Sequence, residues 1–477
     1  MKSIHFTDKQ FSMIPPSAIE LIRLLKHNGY EAYLVGGCVR DMLLNIPPND
    51  WDICTNATPT QMLNLFTQNH IYYHTTGIEY GTVTAIMSDD NYEITTYRKD
   101  MNYSDNRHPD NIEFALSIEA DLARRDFTIN SMAYDPLSDS LKDPYHGAYD
   151  LMHHRLETVS SPYICFQEDA LRIIRAIRFA IKYELFISEE TSIAMDYQKD
   201  NLDSISKERI TSELEKILTY NKPITKYFLK YANIITKLIP DLAPCVKFEQ
   251  NNKYHKHDIY EHMLSVVDNC DTTKFEIKLA ALLHDIGKPL AYSVDENGHG
   301  HFYGHPKNSV ELCENHVFKN DLRLSNEQKK LVLDLIENHD LIIAETKPAI
   351  KRVLNRLGES TFRDWFILKQ ADIDDHIIVD EPSKNHVHVP IIKEIMEEIL
   401  KENECFKVTD LKINGYDIIN LLNIKPGREV GEILHQLFEE VMDETLENDP
   451  DILKNRVLEI TKNNISYDSY EDMAMEL

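Results

Sequence analysis

The stretch YLVGGCVRDMLLNIPPNDWDICT, residues 33–55, decides the fold of the N-terminal part of this chain. A short apolar run leads into two adjacent glycines, an arginine follows three residues later, and an Asp-x-Asp pair comes after a Pro-Pro-Asn turn signal. Side chains two residues apart in a strand lie on one sheet face, so both carboxylates can bind a pair of Mg²⁺ ions. The glycines let the backbone approach a phosphate, to which the arginine can donate. The residues of this candidate site are Gly36, Gly37, Arg40, Asp50 and Asp52.

The composition limits the class of protein. Hydrophobic residues make up 42% of the 477 residues, which supports packed cores, and no apolar run is long enough for a membrane span. The seven cysteines are scattered and never spaced as C-x-x-C, and the N-terminus lacks the apolar stretch of a secretory signal. We therefore expect reduced cysteines, acting as packing residues, in a cytoplasmic protein. The net charge of −28 opposes general coating of nucleic acid but permits a local basic groove.

The order of sequence patterns predicts an α+β fold. Residues 31–135 alternate short β-rich runs (EAYLVGG, DWDICT, GTVTAIM and YEITTYR) with helical stretches such as PTQMLNLFTQ. Beyond residue 150 the strand signal ends and helical periodicity dominates, as in EDALRIIRAIRFAIKY and NEQKKLVLDLIENHD. We expect a head with a small sheet, followed by a long helical body.

A basic stripe lies on the first long helix of that body. In EDALRIIRAIRFAIK, Asp169 and Arg172 are spaced i, i+3. Arg175, Arg178 and Lys182 continue the same face. A solvated charged face is the ordinary interpretation of such a pattern. In a chain with a large excess of acidic residues, however, a face of cations favours a surface for polyphosphate or RNA.

Five motifs in order carry a resemblance to a known family. They are G-G-x-V-R-D at 36–41, D-x-D at 50–52, R-R-D-F-T-I-N at 124–130, D-P-x-x-G-x-x-D-L at 143–151 and E-D-x-x-R at 168–172. With KERITSELEKIL after them, the chain resembles the class II tRNA nucleotidyltransferases, which are the CCA-adding enzymes, and the related bacterial poly(A) polymerases. The segment 409–448 is similar to the tail of bacterial CCA-adding enzymes, which approaches the tRNA elbow.

The resemblance implies a polymerase-beta-like nucleotidyltransferase head in which Asp50 and Asp52 bind Mg²⁺. Glu93, in YEITTYR on a neighbouring strand, is the candidate for a third catalytic carboxylate. Which group takes the proton from the primer 3′-hydroxyl stays open, with Glu93 one candidate.

The resemblance also implies that protein groups alone select CTP and ATP. Asp169 would accept from the exocyclic amine that C and A share, and Arg172 would donate to a neighbouring ring acceptor. U and G present a carbonyl at that position, which would face the carboxylate. The residues implied to bind nucleotide are Gly36, Gly37, Arg40, Arg125, Asp126, Asp169, Arg172, Arg175 and Arg178. The polar stretch with Asp105 and Arg107 is similar to the flexible loop of enzymes that add all three nucleotides.

A second motif set resembles the HD phosphohydrolase superfamily. The tandem His284-Asp285 closes an apolar helix, and histidines stand before and after it, with a later aspartate. One metal could be bound by His262, His284, Asp285 and Asp372, and a second metal or a phosphate by His305 and His339. Imidazole with carboxylate suits a divalent transition metal better than Mg²⁺. Lys288 could neutralise a phosphate.

We therefore expect four domains. They are a nucleotidyltransferase head (1–150), a helical neck that binds nucleotide and RNA (151–245), an HD phosphohydrolase-like domain (246–380) and a helical tail in contact with tRNA (381–477). The expected partners are tRNA, CTP and ATP, with neither DNA nor a membrane. The chain is expected to be a monomer or a homodimer.

Three alternatives stay open. A poly(A) polymerase or an A-only-adding enzyme would share the head, although such relatives usually end in a basic tail and this C-terminus is acidic. An HD phosphohydrolase whose head only binds RNA belongs to another class, and the intact pair Asp50 and Asp52 argues against it. A non-catalytic RNA-binding protein would leave two complete sets of metal ligands without a use.

Overall fold

The computed structural model of the protein describes residues 5–101, 111–251, 256–376 and 388–474. Asp105 and Arg107 lie outside the described residues. Among the helices that the structure describes, none is long and apolar enough to cross a membrane.

The chain divides into two compact units. The first unit comprises Met1–Ala243 and Asn315–Leu324, and the second comprises Pro244–Glu314 and Ser325–Leu477. The main boundary lies close to the one expected between neck and HD domain. The finer division into four domains stays a prediction.

The strands lie mainly in the first unit. They are β1 (Ala32–Val35), β2 (Ile53–Thr55), β3 (Tyr72–His74), β4 (Thr82–Ile86), β5 (Asn91–Thr96), β6 (Arg98–Met101), β7 (Asn111–Phe114), β8 (Ala133–Asp135), β9 (Ser140–Lys142), β10 (Arg155–Leu156), β11 (Phe186–Ile187), β12 (Ser293–Val294) and β13 (Gly300–His301). Seven of them form one mixed sheet in the order β3-β4-β5-β2-β1-β8-β9. Strands β2 and β5 are parallel, and the other neighbours in this sheet are antiparallel.

Helices make up most of both units. Those of the first unit are α1 (Asp8–Phe11), α2 (Pro16–His27), α3 (Gly37–Leu43), α4 (Pro59–Gln68), α5 (Ile118–Ala123), α6 (Gly147–Met152), α7 (Pro162–Glu168), α8 (Leu171–Tyr183), α9 (Glu189–Gln198), α10 (Lys207–Thr219), α11 (Thr225–Lys230) and α12 (Ala232–Leu238). Those of the second are α13 (Ile259–Asn269), α14 (Phe275–Leu283), α15 (Lys288–Ala291), α16 (His305–Leu312), α17 (Asn326–Asn338), α18 (Lys347–Leu357), α19 (Glu359–Asp375), α20 (Val389–Lys401), α21 (Gly415–Leu422), α22 (Arg428–Met442) and α23 (Pro450–Ala474). Short 3₁₀ turns cover Ile78–Tyr80, Thr128–Asn130, Lys199–Ser204, Pro240–Cys245 and Val408–Asp410, and Cys313–Asp321 is a π-helix.

Local sequence explains the head. Alternation in β5 buries Tyr92, Ile94 and Thr96 and leaves Glu93 exposed. Helix α4 begins at a capping box, in which Thr58 and the third helical residue satisfy each other's backbone donors. The four predicted β-rich runs and the helix between them are confirmed, and so is the α+β fold class.

Helix α8 is amphipathic and positions the basic stripe. Its apolar residues recur every three or four positions and are buried, and α10 packs against it. Glu184 ends the helix in the left-handed conformation, at φ 55°. Because the spacing of the arginines matches the helical turn, their guanidinium groups project from one side.

Helix α14 is the central helix of the second unit. Its sequence FEIKLAALL is almost wholly buried, and α13, α17 and α19 pack around it. Its single buried cation, Lys278, donates to the carbonyl oxygen of Val267 at 2.8 Å. A separate apolar core joins α21, α22 and α23 through Ile418, Leu437 and Leu453.

One expectation about the strands is wrong. The pairs β10–β11 and β12–β13 follow residue 150, where only helices were expected. Each of these strands has two residues, which is too short to produce a periodic pattern. The seven cysteines are buried and free, which confirms their role in packing.

Gly147, in the motif at 143–151, packs so closely against backbone that we expect a side chain there to destabilise the protein. A Cβ atom there would lie 2.1 Å from the carbonyl oxygen of Thr128, which is backbone and cannot move aside. We expect Gly147→Ala to lower the free energy of unfolding by about 1–3 kcal/mol or more. The control is Gly431→Ala, inside α22 with open space around it, which should raise that free energy by about 0.5–1 kcal/mol. Urea unfolding measures both, and equal effects would contradict the prediction.

Candidate nucleotide cavity and candidate metal centre

The turn from β1 into α3 depends on Gly36. Its φ of 77° lies in the region that favours glycine, and a Cβ atom there would lie 2.7 Å from Nη1 of Arg125. Its N–H donates to the carbonyl oxygen of Met132 at 3.1 Å. The glycine therefore lets the turn and the Arg125 side chain occupy the same small region.

The Asp-x-Asp pair lies immediately before β2 rather than within it. The carbonyl oxygen of Asp52 accepts from the N–H of Val35 at 3.0 Å, which holds the segment against β1. Burial, and next the charge of Asp50, raise the pKa of Asp52 to about 6, and Glu93 adds to the effect. In the parallel register Ile53 pairs with Ile94, so Glu93 and Asp52 occupy neighbouring positions. Carboxylates crowded in this way fit a divalent cation, which would offset their repulsion.

A cavity of about 700 Å³ lies in the first unit beside this pair. Its charged lining comprises nine lysines or arginines and five aspartates, in a chain that is strongly acidic overall. The predicted residues that line it are Gly36, Gly37, Arg40, Asp50, Asp52, Arg125, Asp126, Asp169, Arg172, Arg175 and Arg178. Glu93 does not line it. Lys182 of the predicted basic stripe also lines it, and the other charged or hydroxyl-bearing residues there, which were not predicted, are Asp41, Arg124, Arg209, Lys216 and Tyr220.

Asp126 joins the head to helix α8. Its carboxylate accepts from Nε of Arg175 at 2.8 Å and from Nδ2 of Asn130 at 3.0 Å. Burial alone would raise the pKa of Asp126, but Arg175 and Asn130 outweigh it and hold the pKa at about 2. The carboxylate therefore stays ionised and fixes the Arg175 guanidinium at the cavity wall.

The ring of Phe179 lies among three cations of the cavity. The guanidinium carbons of Arg40, Arg175 and Arg178 are 5.3, 5.3 and 4.2 Å from the ring centroid. Arg40 also lies 4.5 Å from the centroid of the Tyr183 ring. Because the face of an aromatic ring attracts cations, Phe179 allows the three guanidinium groups to approach each other.

In the structure, Asp169 and Arg172, which are predicted to read the base together, each contact other residues of the chain. Asp169 pairs with Arg209 of α10, whose Nη2 lies 2.8 Å from Oδ2, and also accepts from the N–H of Leu171. Arg172 instead donates to Glu168 at 2.8 Å and to two backbone carbonyls. Asp169 caps the start of α8 through the N–H of Leu171, and both Asp169 and Arg172 line the cavity.

Arg178 is held by residues of α10 and the turn after it. Its Nε donates to Glu213 at 2.5 Å, and its Nη1 donates to the hydroxyl of Tyr220 at 2.8 Å. The three predicted arginines of α8 therefore each have a carboxylate partner from another part of the chain or from the preceding turn. KERITSELEKIL contains Arg209 and Glu213, and its resemblance to a family helix was the one signal that could have found them.

A second cluster brings together all six predicted donors of the HD motif set. They are His262 in α13, His284 and Asp285 directly after α14, His305 at the start of α16, His339 directly after α17, and Asp372 in α19. All six side chains are buried. Residues far apart in the sequence thus converge at one end of a helix bundle.

The two oxygens of Asp285 face two different donor groups. Its Oδ2 lies 3.2 Å from Nε2 of His284 and 3.4 Å from Nε2 of His262. The same Nε2 of His262 lies 3.3 Å from Oδ1 of Asp372. His262, His284 and Asp285 form one ligand set, which we call the first position, and Asp372 faces its His262 from a neighbouring set. Oδ1 of Asp285 lies 3.1 Å from Nε2 of His305 and 3.5 Å from Nε2 of His339, and we call these three donors the second position.

The residues of both positions fit metal ions. Ligand bonds of about 2.1 Å place neighbouring donors of one ion about 3.0–3.4 Å apart, which is close to the spacings here. Nε2 of His284 and Oδ1 of Asp285 are buried and make no hydrogen bond within the structure. Buried polar atoms without hydrogen bonds are costly in a folded protein and fit cation ligands. Lys288 lies 2.6 Å from Oδ2 of Asp285 and also donates to Gln250 at 3.0 Å.

Three further residues support this cluster and were not predicted. Gly287 allows close packing, because a Cβ atom there would lie 2.4 Å from the backbone nitrogen of Ser309. His376 forms a possible ligand set with His262 and Asp372. Asp375 accepts from Nδ1 of His262 at 2.8 Å.

Family models match three parts of the chain. Residues 32–157 match the poly A polymerase head domain, residues 184–245 match the RNA- and SrmB-binding site of polymerase A, and residues 314–457 match tRNA nucleotidyltransferase domain 2. The first match contains Asp50, Asp52 and Asp126. The second contains Arg209 and Glu213.

Relatives match along nearly the whole chain. The CCA-adding enzyme of Oceanobacillus iheyensis is 30% identical over 442 residues, which are 92% of this chain and 96% of the relative. The structure of the Bacillus stearothermophilus CCA-adding enzyme in complex with CTP has a TM-score of 0.68 at 23% identity, with 95% of this chain and all of that chain covered. The Thermotoga maritima CCA-adding enzyme, complexed with tRNA, has a TM-score of 0.57 at 18% identity and 97% and 100% coverage.

Proposed function

Because this chain belongs to the family of CCA-adding enzymes, we propose that it adds C, C and A to the 3′ end of tRNA from CTP and ATP within the cavity of the first unit. The observation that carries this proposal is the cavity itself. Its lining contains Asp50 and Asp52, which could bind a divalent cation, and also Asp169 paired with Arg209, which is suited to reading a base.

Asp50 and Asp52 are the proposed ligands of Mg²⁺ at the reacting phosphate. Bound there, Mg²⁺ would neutralise the charge that develops on the attacking and leaving oxygens. Glu93 neighbours Asp52 in the parallel register, which supports it as a third carboxylate. Arg125 contributes a positive charge that favours the ionised form of Asp52.

The arginines around Phe179 are the proposed triphosphate site. Arg40, Arg175 and Arg178 converge on one ring and line the same cavity as Asp52. Their charge-assisted hydrogen bonds suit phosphate oxygens. The carboxylate partners Asp126 and Glu213 fix their orientation before the nucleotide binds, which lowers the entropy cost of binding.

Asp169 is the proposed acceptor for the exocyclic amine of C and A. Its pairing with Arg209 orients the carboxylate, and Arg172 lines the same cavity. U and G present a carbonyl oxygen at that position, so they would leave two acceptors facing each other without a proton between them. Selection therefore requires no nucleic-acid template.

Incorporation of nucleotides into tRNA tests this proposal. Protein with Mg²⁺ and tRNA lacking its 3′ CCA should add C, C and A from CTP and ATP and then stop. Asp52→Asn removes a cation ligand and should lower the rate about a hundredfold or more. Long A tails, or addition of A only to tRNA ending in CC, would instead indicate a poly(A) polymerase or an A-only enzyme. Unchanged incorporation by the Asp52 variant would contradict the assigned site.

Base selection gives a separate prediction. Arg209→Gln removes the charge that orients Asp169 and should lower the ratio of CTP to UTP incorporation about tenfold, because one charged hydrogen bond contributes about 1.5–3 kcal/mol. The measurement is kcat/KM for each nucleotide. The control is Arg323→Gln, a half-exposed arginine of the same unit. An equal fall for CTP and UTP would assign Arg209 to phosphate or RNA binding instead.

We also propose that the buried cluster of the second unit is an HD-type metal centre that hydrolyses phosphate esters. The observation that favours it is the pair of donor positions that share Asp285. Divalent metal bound there would supply Lewis acidity at a phosphate. Lys288 is close enough to Asp285 to place a positive charge beside that phosphate. Phosphomonoesters and cyclic phosphodiesters are the proposed substrates.

Reciprocal variants test the two activities. His284→Ala should abolish phosphate release from such esters after loading with Mn²⁺, Co²⁺ or Ni²⁺, and should leave nucleotide incorporation within about twofold, because its ligand set lies wholly in the second unit. Asp52→Asn should do the reverse. Colorimetric phosphate release and incorporation, measured on the same preparations, give the comparison. Phosphate release that survives His284→Ala would contradict the assignment.

A further inference from the structure

The four histidines of the metal centre are oriented in two different ways. Nδ1 of His284, His305 and His339 each lies 2.6–2.9 Å from the carbonyl oxygen three residues earlier. Nδ1 of His262 instead lies 2.8 Å from Oδ2 of Asp375. Carbonyl and carboxylate oxygens only accept hydrogen bonds, so every Nδ1 carries a proton and every Nε2 is the nitrogen that faces the other donors of the cluster.

The Asp375 side chain is buried and held by contacts other than the one to His262. It is 2% exposed, and its second oxygen accepts from the hydroxyl of Ser265 at 2.5 Å. Lys256 lies 3.3 Å from that same oxygen. One carboxylate oxygen of Asp375 therefore accepts from His262, and the other contacts Ser265 and Lys256.

The helical spacing of α19 produces this arrangement. Asp372 and Asp375 are three residues apart, which places them on neighbouring positions of one helix face. Asp372 faces Nε2 of His262 at 3.3 Å, while Asp375 faces Nδ1 of the same ring. A single turn of helix thus provides a ligand on one side of the imidazole and a carboxylate on the other.

We propose that Asp375 is a positioning residue that strengthens His262 as a ligand of the first position, and that it acts on this position alone. The inference rests on the proposed metal centre. A ring that coordinates a cation becomes more acidic at Nδ1, and a carboxylate stabilises that proton better than a carbonyl does. The second position lacks such support, because both of its histidines donate to backbone.

Cobalt titration of the full-length protein, freed of metal by chelation, tests this inference. Visible absorption and equilibrium dialysis should report two Co²⁺ ions in the wild type. Asp375→Asn keeps an acceptor for Nδ1 but removes the charge, and should weaken the first position about 10- to 100-fold. His305→Ala should remove Co²⁺ binding at the second position. The double variant should therefore show both effects, weaker binding at the first position and none at the second. The control is Asp374→Asn, an exposed neighbour bonded to Gln370, which should bind Co²⁺ as the wild type does.

A second variant distinguishes loss of the positioning contact from a folding defect. Ser265→Ala removes the hydroxyl that holds the other oxygen of Asp375, and should weaken the same step by a smaller factor. Equal affinities for Asp375→Asn and Asp374→Asn would overturn the inference and leave the metal centre standing. Equal weakening of both steps with a lowered Tm would assign Asp375 a structural role, which also overturns it. Absence of Co²⁺ uptake by the wild type would overturn the metal centre and this inference together.

Discussion

Repulsion between like charges is the constraint on which the nucleotide cavity depends. Seven arginines and two lysines converge on about 700 Å³, and such a group is stable only if anions and aromatic rings lie between its members. Asp126, Asp169 and Glu213 provide the anions, and Phe179 provides the ring. These contacts also tie α8 to the motif at 124–130 and to α10. The network that stabilises the cavity therefore also assembles its walls.

The histidine cluster presents the opposite situation. There the convergent atoms are lone pairs and carboxylate oxygens, and the nearest cation, Lys288, reaches only one of them. Partners behind the rings fix the imidazoles, three through backbone carbonyls and one through Asp375. In the cavity, carboxylates of the protein neutralise its arginines and lysines. In the cluster, the charge of the carboxylates would be neutralised by the proposed metal ion.

The sequence predicted the functional residues that belong to short motifs. It did not predict those whose role depends on a contact with a residue far away in the chain. Asp50 and Asp52, or His284 and Asp285, are recognisable because their chemistry depends on short spacing. Arg209 lies 40 residues from Asp169, and nothing local distinguishes it from other exposed-looking arginines. Asp375 stands among several acids in DIDDH, where helical phase alone decides which carboxylate reaches His262. The sheet order was equally out of reach, since periodicity indicates where strands lie but not which strands pair.

Gly287 has a consequence for how such a protein can change during evolution. It is not a ligand, yet its backbone lies against Ser309 so closely that any side chain would separate α16 from the turn that carries Asp285. One substitution at this position would therefore dismantle the metal centre while every donor residue stayed in the sequence. The nucleotide cavity, which is built from other residues, would keep its composition. A descendant without the proposed metal centre could thus retain the length and every ligand motif of its ancestor.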